Sequence, residues 1–293
     1  MAQDLTRNNK GIVPIGVFDS GYGGLTILKA LRAAMPEYDW LYLGDNARAP
    51  YGSRSFEVVH KFTLQAVTYL FAQGAPLVIV ACNTASAEAL RTIQQRDLPG
   101  MPDPTKRVLG IIRPTVEALD GATQTKHIGI LATEGTVASE SYPAEIDKLY
   151  KGFSITQEAC PMWVPLVESG EAEGEGADWF IRKHLTRLLA RDTSIDTVLL
   201  ACTHYPLLRE KIRRYLPEGI GLLEQGAYVA PSLQDYLRRH PEMACRLSRK
   251  GTVRYLTTEA PDTFSRKASL FVGNAVQAAH VDIDKAKDTL LQH

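Results

Sequence analysis

The sequence predicts an α/β protein built as two pseudo-symmetric α/β domains, with central, mostly parallel sheets and a functional cleft between them. Two apolar, β-branched runs, Pro76-Leu-Val-Ile-Val-Ala-Cys-Asn-Thr-Ala-Ser86 and Asp196-Thr-Val-Leu-Leu-Ala-Cys-Thr-His-Tyr-Pro206, read as buried parallel strands. Each ends in Ala-Cys and continues into residues that favour helix starts. A second pair of words, Ile15-Gly-Val-Phe-Asp-Ser20 and Ile128-Gly-Ile-Leu-Ala-Thr133, shares its glycine and its terminal hydroxyl. Internal duplication is the simplest account of both matches, and chance likeness of generic βα units is the competing one.

The elements follow in order. Ile12–Phe18 reads as a strand running into the glycine-rich turn Asp19-Ser-Gly-Tyr-Gly-Gly24, after which Leu25, Leu28 and Leu31 form a helical stripe. That turn is not the GxGxxG dinucleotide fingerprint, and no acidic ribose ligand follows the next strand. Asp39–Leu43 is the second strand and Gly44–Gly52 a Gly- and Pro-punctuated loop of the kind that binds ligands. Ser55 is placed to cap a helix that presents Phe56, Val59, Phe62, Ala66, Val67 and Leu70. The strand ending at Cys82 precedes a helix over 85–95, and the proline-dense Pro99–Pro104 marks a boundary. Strands at 108–112, 127–132 and 153–156, short helices at 115–119 and after Cys160, an exposed acidic loop at 169–176 and a helix at 179–190 lead to the second cysteine strand. A helix over 207–216, a return through 221–226, a strand at 254–258 and a helix over 264–279 complete the core. The expected domains are 12–105 plus 222–293 and, between them, 106–221. The first ten residues read as frayed and 285–293 as a polar helical tail.

Composition narrows the function. With 293 residues, 45% hydrophobic and 23% charged, the chain can bury a substantial core, and its net charge of +0 gives no general footprint for nucleic acid or an anionic membrane. The basic groups at 187–191 and 246–250 read as solvated helix faces. No run approaches the ~20 apolar residues of a membrane span, and the polar start is no secretory signal. Four separated cysteines without CxxC or zinc spacing suggest a reducing cytoplasm and no metal site. His60, His127, His184 and His240 likewise lack ligand spacing and read as surface or satisfied core positions.

Cys82 and Cys202 stand out because both fall at the carboxyl end of a strand, the edge where open α/β sheets bind ligands. A helix N-terminus there is expected to lower a thiol's pKa. A free cysteine is most often a small packed hydrophobe, and Cys160 and Cys245 are read so; the matched placement of the other two argues against it. Two thiols across a cleft suit removal of a proton from one face of a carbon and delivery of another to the opposite face. Asp19 is either a helix cap or a group that takes a proton or orients a substrate ammonium. His204 is placed to shift the Cys202 pKa, and Glu168 is either a paired, partly buried carboxylate or a surface one. Ser20, Asn83, Thr84, Thr133, Thr136 and Thr203 either cap helices or supply donors for a small carboxylate.

These words together resemble the glutamate racemases of the aspartate/glutamate racemase superfamily. The matching segments are Gly16–Thr26, Gly44–Gly52, Ala81–Ser86, Cys160–Glu168 and Cys202–Leu208, in family order over roughly residues 12–280. The resemblance implies two α/β domains and interconversion of L- and D-glutamate without pyridoxal phosphate, metal or other cofactor. It implies Cys82 and Cys202 as the acid/base pair, Cys82 acting on the D-isomer and Cys202 on the L-isomer. Asp19 and His204 would assist them, with Glu168 behind His204. Asp19, Ser20, Pro50, Tyr51, Gly52, Asn83, Thr84, Thr136, Thr203 and His204 would hold substrate. A cytoplasmic homodimer supplying D-glutamate to peptidoglycan is the implied setting, with no nucleic-acid or membrane partner. The sequence departs from the family pattern at Asn46 (usually threonine), Ala201 (often glycine), Arg113-Pro-Thr115 (commonly a Pro-Gly turn) and Leu223-Glu-Gln-Gly226 (an Asp-Ser segment). None of these removes a proposed catalytic group. Aspartate racemisation by the same scheme is the nearest alternative, and the His after Cys202-Thr and the Pro-Tyr-Gly loop favour glutamate. A non-catalytic amino-acid sensor is the alternative of another class, which would not need two opposed thiols.

Overall fold

The computed structural model describes residue 11 and residues 13–284. The expected frayed N-terminus, Ile12 and the tail at 285–293 lie outside the described residues. Among the described residues, ten strands form two all-parallel sheets. The six-stranded sheet holds β1 (Ile15–Asp19), β2 (Trp40–Gly44), β3 (Leu77–Val80), β4 (Arg107–Gly110), β9 (Val253–Thr257) and β10 (Ala278–His280), in the order β10-β9-β2-β1-β3-β4. The four-stranded sheet holds β5 (His127–Ala132), β6 (Ser154–Ala159), β7 (Thr197–Ala201) and β8 (Gly221–Glu224), in the order β6-β5-β7-β8. Helices cover these sheets as βαβ crossovers require. The central strands β1, β3 and β7 are buried along their whole length, which is why they read as unbroken apolar runs.

The two sheets repeat one topology. β2-β1-β3-β4 corresponds position by position to β6-β5-β7-β8, so each cysteine strand lies beside the strand carrying the matched glycine. Gly16 pairs with Val78 and Gly129 with Val198. Duplication predicts this shared order.

Strand pairing moves both expected boundaries. Residues 107–110 hydrogen-bond to β3 and close the first sheet, so the chain leaves it after Gly110 rather than at 105/106. Residues 221–224 pair with β7, so the return falls after Glu224 rather than at 221/222. There the helix Gly226–Arg239 packs against the helix Gly24–Ala34, burying Val229, Ala230, Leu233 and Leu237. Within the helix Phe56–Ala72, Val59, Ala66, Val67 and Leu70 are buried as expected, whereas Phe56 is exposed. Ser55 occupies the cap position, although its side chain makes no cap hydrogen bond there. Cys160 is packed as expected; Cys245 is exposed, because its short helix lies on the surface.

Candidate active site

The carboxyl ends of β1, β3 and β7 converge on one pocket of about 100 Å³. That is well below the roughly 300–1,000 Å³ of pockets for drug-sized ligands, so its occupant is small. Asp19, Ser20, Pro50, Tyr51, Gly52, Cys82, Asn83, Thr84, Glu168, Cys202, Thr203 and His204 all line it. Thr136 does not. It sits fully buried behind Thr133, which lines the wall and holds the Thr136 hydroxyl and backbone N–H at 3.1 and 3.4 Å. Thr133 also caps the helix Glu134–Ala138, so the turn presents its first threonine to the pocket and turns the second inward.

Cys82 follows β3 and caps the helix Asn83–Glu88, its Sγ accepting the Ala85 N–H at 3.5 Å. Register places Ser20 beside it, with Oγ 3.3 Å from Sγ. Burial and the neighbouring Asp19 charge push the Cys82 thiol up to about 12, against the smaller opposing pull of Ser20 and Ala85. The expected lowering by the helix terminus is thus reversed: desolvation of the thiolate outweighs two weak donors.

Cys202 follows β7 in a different setting. The next element is a 3₁₀ turn, Tyr205–Leu208, so Cys202 caps no helix. Its Sγ lies 3.9 Å from His204 Nδ1, and His204 Nε2 lies 2.8 Å from Glu168 Oε1. Burial alone would lower the His204 pKa; hydrogen bonds to Cys202 and Glu168 override it and push the imidazole up to about 10. These two partners favour the charged imidazole, and Glu168 is the paired carboxylate rather than a surface one. Asp19 is buried, which raises its pKa, opposed by the His204 charge and the N–H groups of Gly21 and Gly24.

The pocket is walled by contacts between the two halves. Gly135 N–H donates to Gly52 carbonyl at 2.8 Å, Thr84 and Thr133 hydroxyls meet at 3.0 Å, and the Thr26 hydroxyl donates to the Thr203 carbonyl at 3.0 Å. Gly23 is required by this approach, since a Cβ there would run into Thr203 and His204. Tyr51 is fixed from behind by donating its hydroxyl to Asp45 at 2.5 Å. The Asn83 side chain is turned to Tyr142 and Gln225. Sequence reasoning missed Gln225 as a partner of the site, because the contact spans 142 residues. No group of three or more His, Cys, Asp or Glu side chains placed to hold a metal occurs among the described residues.

The two-lobed parallel α/β frame has known counterparts. The Asp/Glu/Hydantoin racemase family model matches residues 25–230. The glutamate racemase of Geobacter metallireducens is 36% identical over 260 residues, covering 88% of this chain and 92% of that one. A glutamate racemase structure from Bacillus anthracis superposes with a TM-score of 0.83 at 30% identity, covering 92% of this chain and 97% of that one. One from Francisella tularensis, in complex with D-glutamate, gives 0.81 at 28% identity, covering 93% and 98%. The chain belongs to the Asp/Glu/Hydantoin racemase family. Within it the enzyme is an amino-acid racemase, an isomerase.

Proposed function

We propose that this enzyme interconverts L- and D-glutamate by proton transfer between two cysteines, without a cofactor. The observation that carries this reading is the pair of thiols in one small pocket with opposite surroundings. Cys82, held as a thiol by burial and Asp19, starts as the acid. Cys202, facing the His204 imidazolium, is then the base that takes the Cα proton of the L-isomer. The Cα–H bond breaks toward Cys202, the electron pair remains on the substrate, and Cys82 delivers its proton to the opposite face. The reverse reaction exchanges the roles, after Cys82 has lost its proton. Asp19 borders the pocket as an acceptor for the substrate ammonium, and an ammonium beside it would offset the charge that keeps Cys82 protonated.

No Lys or Arg lines the pocket among the described residues. The substrate carboxylates are therefore assigned to hydroxyls and backbone N–H groups at Ser20, Gly52, Asn83, Thr84, Thr133 and Thr203. Thr136 supports Thr133 instead of touching substrate. Likeness to glutamate racemases of the same length favours glutamate over aspartate. The resemblance to glutamate racemases supports the further reading that the D-isomer goes to peptidoglycan synthesis in the bacterial cytoplasm and that the enzyme acts as a homodimer. Proton NMR with L-glutamate, and separately L-aspartate, in D₂O without added cofactor tests the reaction. Loss of the glutamate Cα–H signal with D-glutamate on chiral chromatography is expected. Exchange of aspartate instead would overturn the substrate, and exchange of neither would leave a binding protein.

A further inference from the structure

Two departures from the family pattern meet in space. Thr115 lies in the first connection between the sheets, after Gly110, and Gln225 opens the second, after Glu224. Gln225 Nε2 donates to Thr115 Oγ1 at 3.2 Å. The same NH2 group lies 2.9 Å from the Tyr142 hydroxyl and 3.1 Å from Asn83 Oδ1, its two hydrogens shared among the three acceptors, while Gln225 Oε1 accepts from Asn83 Nδ2 at 2.5 Å. Tyr142 closes the circuit by donating to Asn83 Oδ1 at 2.7 Å. All four side chains are buried. One node thus ties together both inter-sheet connections, the helix Ser141–Leu149 of the second half, and Asn83, the residue next to Cys82.

We propose that Gln225, with Tyr142, is a positioning residue for the Cys82 proton transfer. Its carboxamide grips Asn83 at two points and thereby fixes the first turn of the helix that Cys82 caps. Among the described residues Cys202 makes no hydrogen bond to the node: it lies within electrostatic reach of Tyr142, but its hydrogen-bond partners are His204 and, through it, Glu168. Loosening the node therefore slows proton transfer at Cys82 more than at Cys202, because transfer rates fall steeply with misplacement of the reacting groups. The inference rests on the two-thiol reading above.

Racemisation has an equilibrium constant of unity, so kcat/KM is the same from either isomer and cannot report the asymmetry. Primary deuterium effects can. Gln225→Leu and Tyr142→Phe are measured with α-deuterated D-glutamate and α-deuterated L-glutamate, with Cys82→Ser and Cys202→Ser alongside. We expect kcat to fall about tenfold, with a smaller rise in KM because Asn83 and Thr84 also border the substrate pocket. The ratio of the D-isomer's isotope effect to the L-isomer's should rise, in the direction expected of Cys82→Ser and opposite to that expected of Cys202→Ser. Tyr142→Phe deletes only a hydroxyl and carries the test should Gln225→Leu fail to fold. A folded Tyr142→Phe enzyme with an unchanged isotope ratio overturns the positioning role, whatever its melting temperature. Cysteine variants without opposite asymmetries overturn the two-thiol reading itself, and the positioning role falls with it.

Discussion

The two cysteines occupy equivalent points of a repeated fold and have different chemistry around them. Each follows the third strand of a β2-β1-β3-β4 arrangement, and each lies beside a strand that is followed by a hydroxyl residue. On the first side that hydroxyl, Ser20, touches the thiol, and Asp19 adds a carboxylate. On the second side Thr133 turns to Thr84 and Thr136, and a histidine–glutamate pair takes the thiol's flank. The repeated strand order supplies two matched positions; the differences at their edges put a carboxylate and a hydroxyl beside one thiol and a histidine–glutamate pair beside the other. A reaction that removes a proton from one face of a carbon and delivers another to the opposite face needs that inequality, since two equally protonated thiols would leave the carbon without a base.

Removing either thiol is the strongest test. Cys82→Ser and Cys202→Ser should each lose about 10²–10⁴-fold in kcat, the usual range for a positioned acid or base. Racemisation is measured by circular dichroism from each isomer. Retention of near-normal turnover in either variant would end the comparison, because a single base would then be enough.

The His204–Glu168 pair comes next. His204→Gln removes the cation beside Cys202 and should cost about 10²-fold in kcat, and Glu168→Gln about tenfold. The same pair predicts a stability signature. A histidine raised from 6.5 in the unfolded chain to about 10 in the folded one stabilises fully below pH 6.5, and its contribution is lost as pH rises through about 10. The melting-temperature advantage of the parent enzyme over His204→Gln should therefore shrink between these limits. An advantage that grows with pH would show the imidazole to be neutral in the fold.

How much of this was legible beforehand follows from the range of each interaction. The strands were legible because Leu-Val-Ile-Val and Val-Leu-Leu-Ala are runs that only a sheet buried on both faces uses well. Their pairing was not. Arg107–Gly110 follows a proline break that looks like a boundary, yet its partner is β3. The helix Gly226–Arg239 carries a readable stripe at Val229, Ala230, Leu233 and Leu237, interrupted on paper by Pro231. Most pocket residues were legible as strand-end words, but the spacing in Thr133-Glu-Gly-Thr136 cannot say which threonine faces the ligand. The Cys82 shift was misread for a similar reason: a helix start is local, whereas burial and Asp19 arrive with the fold.

The smallest effects bear most directly on that shift, because two neighbours act on Cys82 with opposite sign. Burial sets the high value, Asp19 adds to it through its charge, and Ser20 subtracts from it through a hydrogen bond. Asp19→Asn should therefore lower the pH midpoint for alkylation of Cys82 by iodoacetamide, by about one pH unit. Ser20→Ala should raise it by less, since a hydroxyl 3.3 Å from sulfur is a weak donor. Mass spectrometry of the Cys82 peptide reads both midpoints without reference to turnover, which matters because both residues line the pocket. Movement of the two midpoints in the same direction would mean that the substitutions act by changing exposure of the thiol. Opposite movement would tie the inequality of the two halves to Asp19 and Ser20, the two residues that separate the Cys82 edge from its counterpart at Ala132 and Thr133.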